Sequence, residues 1–202
     1  MPILEKPLSP KATTQSAKPK RLVSLAEFET ILQKPGNANR LLELINGEIF
    51  EKMPTQQHGL IVSNINRELG NYAIKHKNGR PGVEVRHQAT GDDRNSRLPD
   101  VSFTRADLPL VEQGSVEHMP DLAVEIKSPS DTIVQMRETA AYYLANGSRL
   151  VWLVYPQLRL VEVYRVDTDI DFRNESQMLL GYDVLPGFEL AVADVFADPF
   201  SE

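Results

Sequence analysis

Cysteine is absent from all 202 residues. That excludes disulfides and thiolate metal sites, and it fits a reducing cytoplasm, the expected location. No run of about 18 apolar residues occurs, so neither a membrane span nor a membrane partner is expected. The first twenty residues lack the apolar stretch of a secretory leader. Positive charge is also scarce: 22 Lys and Arg stand against 28 Asp and Glu, a net charge of −6. Such a balance argues mildly against a nucleic-acid partner, because phosphate binding uses Lys and Arg.

What is present is a soluble globular composition, 41% hydrophobic and 25% charged, in a chain long enough to bury a real core. The charges are uneven. Lys6, Lys11, Lys18, Lys20 and Arg21 face only Glu5 near the start, and residues 67–97 carry seven Lys or Arg against four acids. Residues 1–20 are rich in Pro, Lys, Ser and Thr and read as a flexible arm. Residues 21–202 read as a single domain, with no internal repeat.

Ser24-Leu25-Ala26-Glu27 is a capping box that opens a short helix, ending near Lys34-Pro35-Gly36. Residues 41–52 form a hairpin around Asn46-Gly47, which supplies the positive φ angles of a two-residue turn. A long helix is expected from Thr55 to about Lys75, with Ile61, Ile65, Leu69 and Tyr72 at helical spacing. Strands are expected over 82–88, 100–105, 121–127, 150–155 and 158–165, and another within 177–190. Residues 90–97 read as a polar loop. Ser128 to Asp131 starts a second helix, with Ser130 or Asp131 as cap and Gly147 beyond its end. Strand, helix and strand over 121–155 make a right-handed unit with a parallel pair. The fold class is α/β, with a mixed β-sheet flanked by α-helices.

The chemistry lies at Pro99-Asp100 and Glu125-Ile126-Lys127. Side chains two apart share a strand face, so Glu125 and Lys127 project together while Leu122, Val124 and Ile126 fill the other side. Asp100 shares a polar face with Ser102, opposite Val101 and Phe103. If the two strands are neighbours, the carboxylates of Asp100 and Glu125 converge, and they repel unless a cation sits between them. Hard oxygen ligands suit Mg²⁺ or Mn²⁺, and the Ile126 carbonyl can add one more. Lys127 would orient or deprotonate a water and steady charge on a phosphate. A surface salt bridge satisfies the same spacing.

The stretch "LLELINGEI…H…LPDVSF…PDLAVEIKSPSD…YYLANGSRLVWLVYP" resembles the Uma family of restriction-endonuclease-like proteins, within the PD-(D/E)XK nuclease superfamily. The resemblance spans roughly residues 22–197. It implies a restriction-endonuclease-like fold and a metal-dependent endonuclease that hydrolyses DNA phosphodiester bonds, with Mg²⁺ or Mn²⁺ as cofactor. The alternative is a non-catalytic DNA-binding or assembly protein that keeps the fold. A homodimer follows only by analogy, since cutting two strands requires two sites.

By the same resemblance, Asp100 and Glu125 are the metal carboxylates, Lys127 is the catalytic lysine, and Glu43 is the N-terminal acid that completes the site. Glu43 also stands between Leu42 and Leu44, pointing away from their face; an exposed residue paired with Lys52 is the other reading. His58 matches the family's helix histidine, against a capping or packing role. Gln135 is a weaker candidate on the helix after the Ser-Pro-Ser turn. The chain departs from its relatives at Thr139, where a helix lysine is common, and Arg137 is the nearest substitute. Tyr142, Tyr143 and Trp152 are better explained as core than as base-stacking platforms.

Overall fold

The computed structural model describes residues 21–200; the expected arm of residues 1–20 lies outside the described residues. The capping box at Ser24 forms as the sequence predicts. Ser24 Oγ accepts the Glu27 N–H at 3.3 Å, the Glu27 carboxylate accepts the Ser24 N–H at 3.0 Å, and α1 (Leu25–Leu32) follows. Strands β1 (Leu41–Ile45) and β2 (Glu48–Lys52) pair as a hairpin. Asn46 and Gly47 turn it with φ of 51° and 80°. Thr55 caps α2 (Gln56–His76) by accepting the His58 N–H, and left-handed Lys77 ends it.

Six strands then stand side by side in chain order: β3 (Gly79–Val83), β4 (Val101–Arg105), β5 (Leu122–Ile126), β6 (Leu150–Tyr155), β7 (Leu160–Arg165) and β8 (Asp171–Asn174). Strands β5 and β6 run parallel, joined through α3 (Ile133–Ala145); the other neighbours are antiparallel. A short pair, β9 (Met178–Leu180) with β10 (Glu189–Ala191), leads into α4 (Val192–Val195).

Strand alternation sorts the apolar residues into two layers. On one face Val101, Phe103, Leu122, Val124, Ile126 and Trp152 pack with Ile61, Ile65 and Leu69 of α2. On the other, Ala123, Val151, Leu153 and Tyr155 pack with Met136, Ala140 and Tyr143 of α3. The sheet is therefore mixed and flanked by helices. The tyrosine and tryptophan side chains of α3 and β6 belong to these layers: Tyr143 and Trp152 are fully buried. A third cluster, Phe28 with Leu42 and Leu44, seats the hairpin on α1. No helix among the described residues is long and apolar enough to cross a membrane.

Four local features differ from the sequence reading. The strand expected over 82–88 lies earlier, at β3, because Glu84 has a φ of 53° and breaks the extended run. The cap of α3 is Thr132, one residue past Asp131, whose carboxylate instead accepts the Ser128 N–H at 2.7 Å and closes the preceding turn. Strand β8 lacked a strong apolar alternation, since two of its four residues are charged. The polar loop 90–97 does not simply face solvent: Asn95, Ser96 and Arg97 are buried. Ser96 exchanges both backbone hydrogen bonds with Leu44, at 2.8 and 3.0 Å, and Asn95 Oδ1 accepts the Asn46 N–H at 3.0 Å. These bonds fasten the β1–β2 hairpin beside the start of β4.

Candidate active site

The β4–β5 register pairs Val101 with Val124 and Ser102 with Ala123. One step further brings Asp100 opposite Glu125, at the end of both strands. Both are buried, Asp100 2% and Glu125 7% exposed. Asp100 Oδ2 accepts the Ile126 N–H at 2.7 Å. The N–H and carbonyl of one strand residue project to the same side, so the Ile126 carbonyl shares this edge. Glu125 Oε1 accepts the Tyr143 hydroxyl at 2.8 Å.

The free oxygen of each carboxylate meets the same ammonium. Lys52 Nζ, from the last residue of β2, lies 2.8 Å from Asp100 Oδ1 and 2.9 Å from Glu125 Oε2. Its remaining donor reaches the Leu98 carbonyl at 2.7 Å, so all three N–H groups are used. The hairpin explains the reach: Lys52 opposes Leu41 and Glu43 opposes Phe50, which puts Lys52 and Glu43 on one face and Leu42 and Leu44 on the other.

Glu43 is buried rather than an exposed hairpin residue, and its Oε1 accepts the Leu98 N–H at 2.7 Å. The Leu98 peptide is thus held by Glu43 on its amide and by Lys52 on its carbonyl. No ion pair joins Glu43 to Lys52 within 4 Å, although the Glu43 charge acts on both Lys52 and Glu125.

One cation between buried carboxylates separates their protonation. Burial pushes Asp100 up, but the adjacent Lys52 ammonium and a hydrogen bond from His58 outweigh it and hold the group down to about 2. For Glu125 burial wins: with Asp100 and Glu43 adding repulsion against the pull of Lys52, it is pushed up to about 8. Lys52 thus favours the ionised form of Asp100, while burial and the neighbouring acids disfavour that of Glu125.

His58 stands in the first turn of α2, with Nε2 3.4 Å from Asp100 Oδ1 and Nδ1 buried without a partner. Beside it opens a cleft of about 330 Å³ between the α2 N-terminus and the β5–α3 turn, walled by His58, Gln56, Gln57, Lys127, Ser128 and Pro156 among others. Lys127 lies just past β5. Its Nζ donates to the Ser128 carbonyl at 3.1 Å and forms no ion pair with Asp100 or Glu125. Strand β5 ends at Ile126, although the Lys127 N–H still donates to the Val154 carbonyl at 2.9 Å; the Lys127 ammonium turns to the Ser128 carbonyl. Gln135 is exposed and its Oε1 accepts the Thr132 N–H at 2.9 Å, completing the α3 cap. Arg137 is paired with Glu162 on β7, at 2.5 Å.

Residues 25–193, from the first residue of α1 into α4, match a family described as "Uma2: Putative restriction endonuclease". The chain belongs to the Uma2 family. Among solved structures it is similar to "a putative nuclease belonging to DUF820 from Anabaena variabilis ATCC 29413", with a TM-score of 0.73 at 23% identity, covering 86% of this chain and 97% of that one. That likeness shows the fold. A DrdV–DNA complex gives a TM-score of 0.30 at 12% identity, covering 56% of this chain and 85% of that one. Nothing among the curated proteins matches the chain.

The donor set of this Uma2 chain can be tested for a divalent ion. Among the described residues no three His, Asp or Glu side chains are grouped as a ready metal cage. Two hard oxygens, Asp100 Oδ1 and Glu125 Oε2, nevertheless converge on a single cationic nitrogen. The oxygens fit Mg²⁺ or Mn²⁺ in kind, and the position fits a cation, provided Lys52 yields it. Lys52 is the residue that sequence reasoning placed elsewhere, as a partner for Glu43. Its signal was the hairpin register, which puts residue 52 on the Glu43 face. Tyr143 was identified as core, and its hydroxyl adds a bond to Glu125 that no spacing announces.

Proposed function

We propose that this Uma2 protein is a metal-dependent endonuclease acting on DNA phosphodiester bonds. The observation that carries the reading is the convergence of two buried carboxylates, Asp100 and Glu125, on one cation position beside an open cleft. Membership of a family described as a restriction endonuclease supports the reaction class. Asp100 and Glu125 would hold the metal, with the Ile126 carbonyl as a further oxygen donor and the Glu43 charge acting beside them. A divalent ion bound there would lower the pKa of a water and neutralise charge on the scissile phosphate.

The remaining steps belong to this chain's own groups. His58, against Asp100 Oδ1, keeps that carboxylate oriented. Thr55 takes the His58 amide, but those of Gln56 and Gln57 have no carbonyl a turn before them, so they are suited to hold a phosphate in the cleft. Lys127 contributes positive charge to the same cleft. Burial of Asp100 and Glu125 keeps bulk water from the carboxylates, which strengthens their hold on a cation. Two copies would serve the two strands of a duplex, and a reducing cytoplasm suits a chain without cysteine.

The test is incubation of the purified protein with plasmid and linear DNA in Mg²⁺ and in Mn²⁺. Cleavage beyond that of the double variant Glu125→Ala, Lys127→Ala is expected. Equal cleavage by the two sinks the assignment for those substrates. A second reading, a DNA-binding or assembly protein without catalysis, draws on the filling of the cation position by Lys52 and on the absence of the helix lysine at Thr139. Calorimetry separates the two readings: Mn²⁺ binding that Asp100→Asn abolishes favours the enzyme, and no binding at millimolar metal favours the second.

A further inference from the structure

We infer that Lys52 is the resident counter-ion of the site: its ammonium holds Asp100 and Glu125 together, and a divalent cation binds there only by displacing it. The inference rests on the nuclease reading for the identity of the incoming cation, and it concerns a residue outside the Asp, Glu-x-Lys pattern.

The geometry is that of a coordinated ion. Lys52 Nζ contacts three oxygens, Leu98 O at 2.7 Å, Asp100 Oδ1 at 2.8 Å and Glu125 Oε2 at 2.9 Å. An ammonium and a metal ion cannot both sit within 3 Å of the same two oxygens without strong repulsion between them. Other cations near the site are committed elsewhere: Lys127 to the Ser128 carbonyl, Arg137 to Glu162, Arg86 to the Leu42 carbonyl and Arg97 to the Tyr142 ring. Lys52 can also leave. Its side chain is 20% exposed, while that of Asp100 is 2% exposed, and it hangs from the end of a two-stranded hairpin outside the six-stranded sheet. Two buried carboxylates left without any cation would repel each other, a repulsion that an incoming metal relieves as Lys52 does. Lys52 keeps them at cation-bridging separation, and it raises the metal concentration needed to fill the site. It is a positioning residue rather than a catalytic one.

The experiment is calorimetric titration of the full chain with Mn²⁺ in the wild type, Lys52→Met, Lys52→Arg and Lys127→Met. Lys52→Met is expected to bind Mn²⁺ at least about tenfold more tightly than the wild type. Lys52→Arg, which keeps the charge, should bind as weakly as the wild type, and Lys127→Met should fall far short of the tenfold gain. A Lys52→Met affinity equal to or weaker than the wild type overturns the inference. Should Lys52→Met fail to fold, amine acylation of the wild type read by mass spectrometry decides. Lys52 should resist modification in chelator and react in saturating Mn²⁺; equal modification in both overturns the proposal. The failures are distinguishable. No DNA cleavage by a wild type whose Lys52→Met variant binds metal more tightly sinks the nuclease reading and leaves Lys52 in its role. Equal Mn²⁺ binding by both sinks the Lys52 role alone, and binding by neither sinks both.

Discussion

The Tyr143 hydroxyl donates to Glu125 Oε1 at 2.8 Å, tying α3 to the carboxylate that shares Lys52 with Asp100. Tyr143 is fully buried, and its ring packs with Met136, Ala140 and Leu153. The bond satisfies the one Glu125 oxygen that Lys52 does not reach.

Tyr143→Phe keeps that packing and removes the donor. A buried carboxylate oxygen left without a partner costs roughly 1–3 kcal/mol. The urea midpoint should fall by the corresponding amount with an unchanged slope. A midpoint equal to that of the wild type would show that another donor reaches Glu125.

Asp100→Asn separates charge from shape. The amide oxygen can still accept the Ile126 N–H that Asp100 Oδ2 accepts at 2.7 Å, so the β4–β5 end should stay folded. The charge that meets Lys52 is lost. DNA cleavage should drop at least about 100-fold, more than the loss of an outer-sphere partner brings. Circular dichroism should match the wild type. Cleavage within a few-fold of the wild type would remove Asp100 from the site.

The facing of each carboxylate was legible from local rules, and their meeting followed once β4 and β5 proved to be neighbours. Leu122, Val124 and Ile126 mark the apolar face of β5, so Glu125 had to point the other way, and Val101 and Phe103 do the same for Asp100. The hairpin was legible from Asn46-Gly47 alone. What escaped depends on docking between distant segments. Lys52 and Glu125 are 73 positions apart, and no periodicity links them; their meeting requires Ser96 to fasten the hairpin to the start of β4. The cap of α3 escaped for a different reason. Ser130, Asp131 and Thr132 are all good caps, and the choice fell to Thr132 once Asp131 was drawn to the Ser128 amide.

Gln135 offers a contrast to the site residues. Its side chain completes the Thr132 capping box at the exposed start of α3. Gln135→Ala should cost about 0.5–1 kcal/mol at most, the lower part of the range for lost caps. Cleavage under saturating metal should remain that of the wild type. A large loss of cleavage with little change in stability would return Gln135 to the site.

His87 sets a pH dependence that is independent of the carboxylates. It is fully buried, its Nδ1–H donates to the His118 carbonyl at 2.9 Å, and Nε2 has no partner. Burial pushes its pKa down to about 4, against 6.5 in an open chain, with the His118 carbonyl opposing the shift in part. Below pH 6.5 the unfolded chain takes up a proton that the folded chain refuses, because a charged Nε2–H would be buried without an acceptor. The His87 contribution to stability is therefore complete above pH 6.5. It is lost as pH falls towards 4 and changes no further below that. The full swing is on the order of 3 kcal/mol. His87→Gln, whose amide can still donate to His118, removes the titration. Urea unfolding of both proteins between pH 7.5 and 4 should show the wild type losing stability more steeply, with the two curves parallel above pH 7. Parallel curves over the whole range would mean that His87 is protonated in the fold.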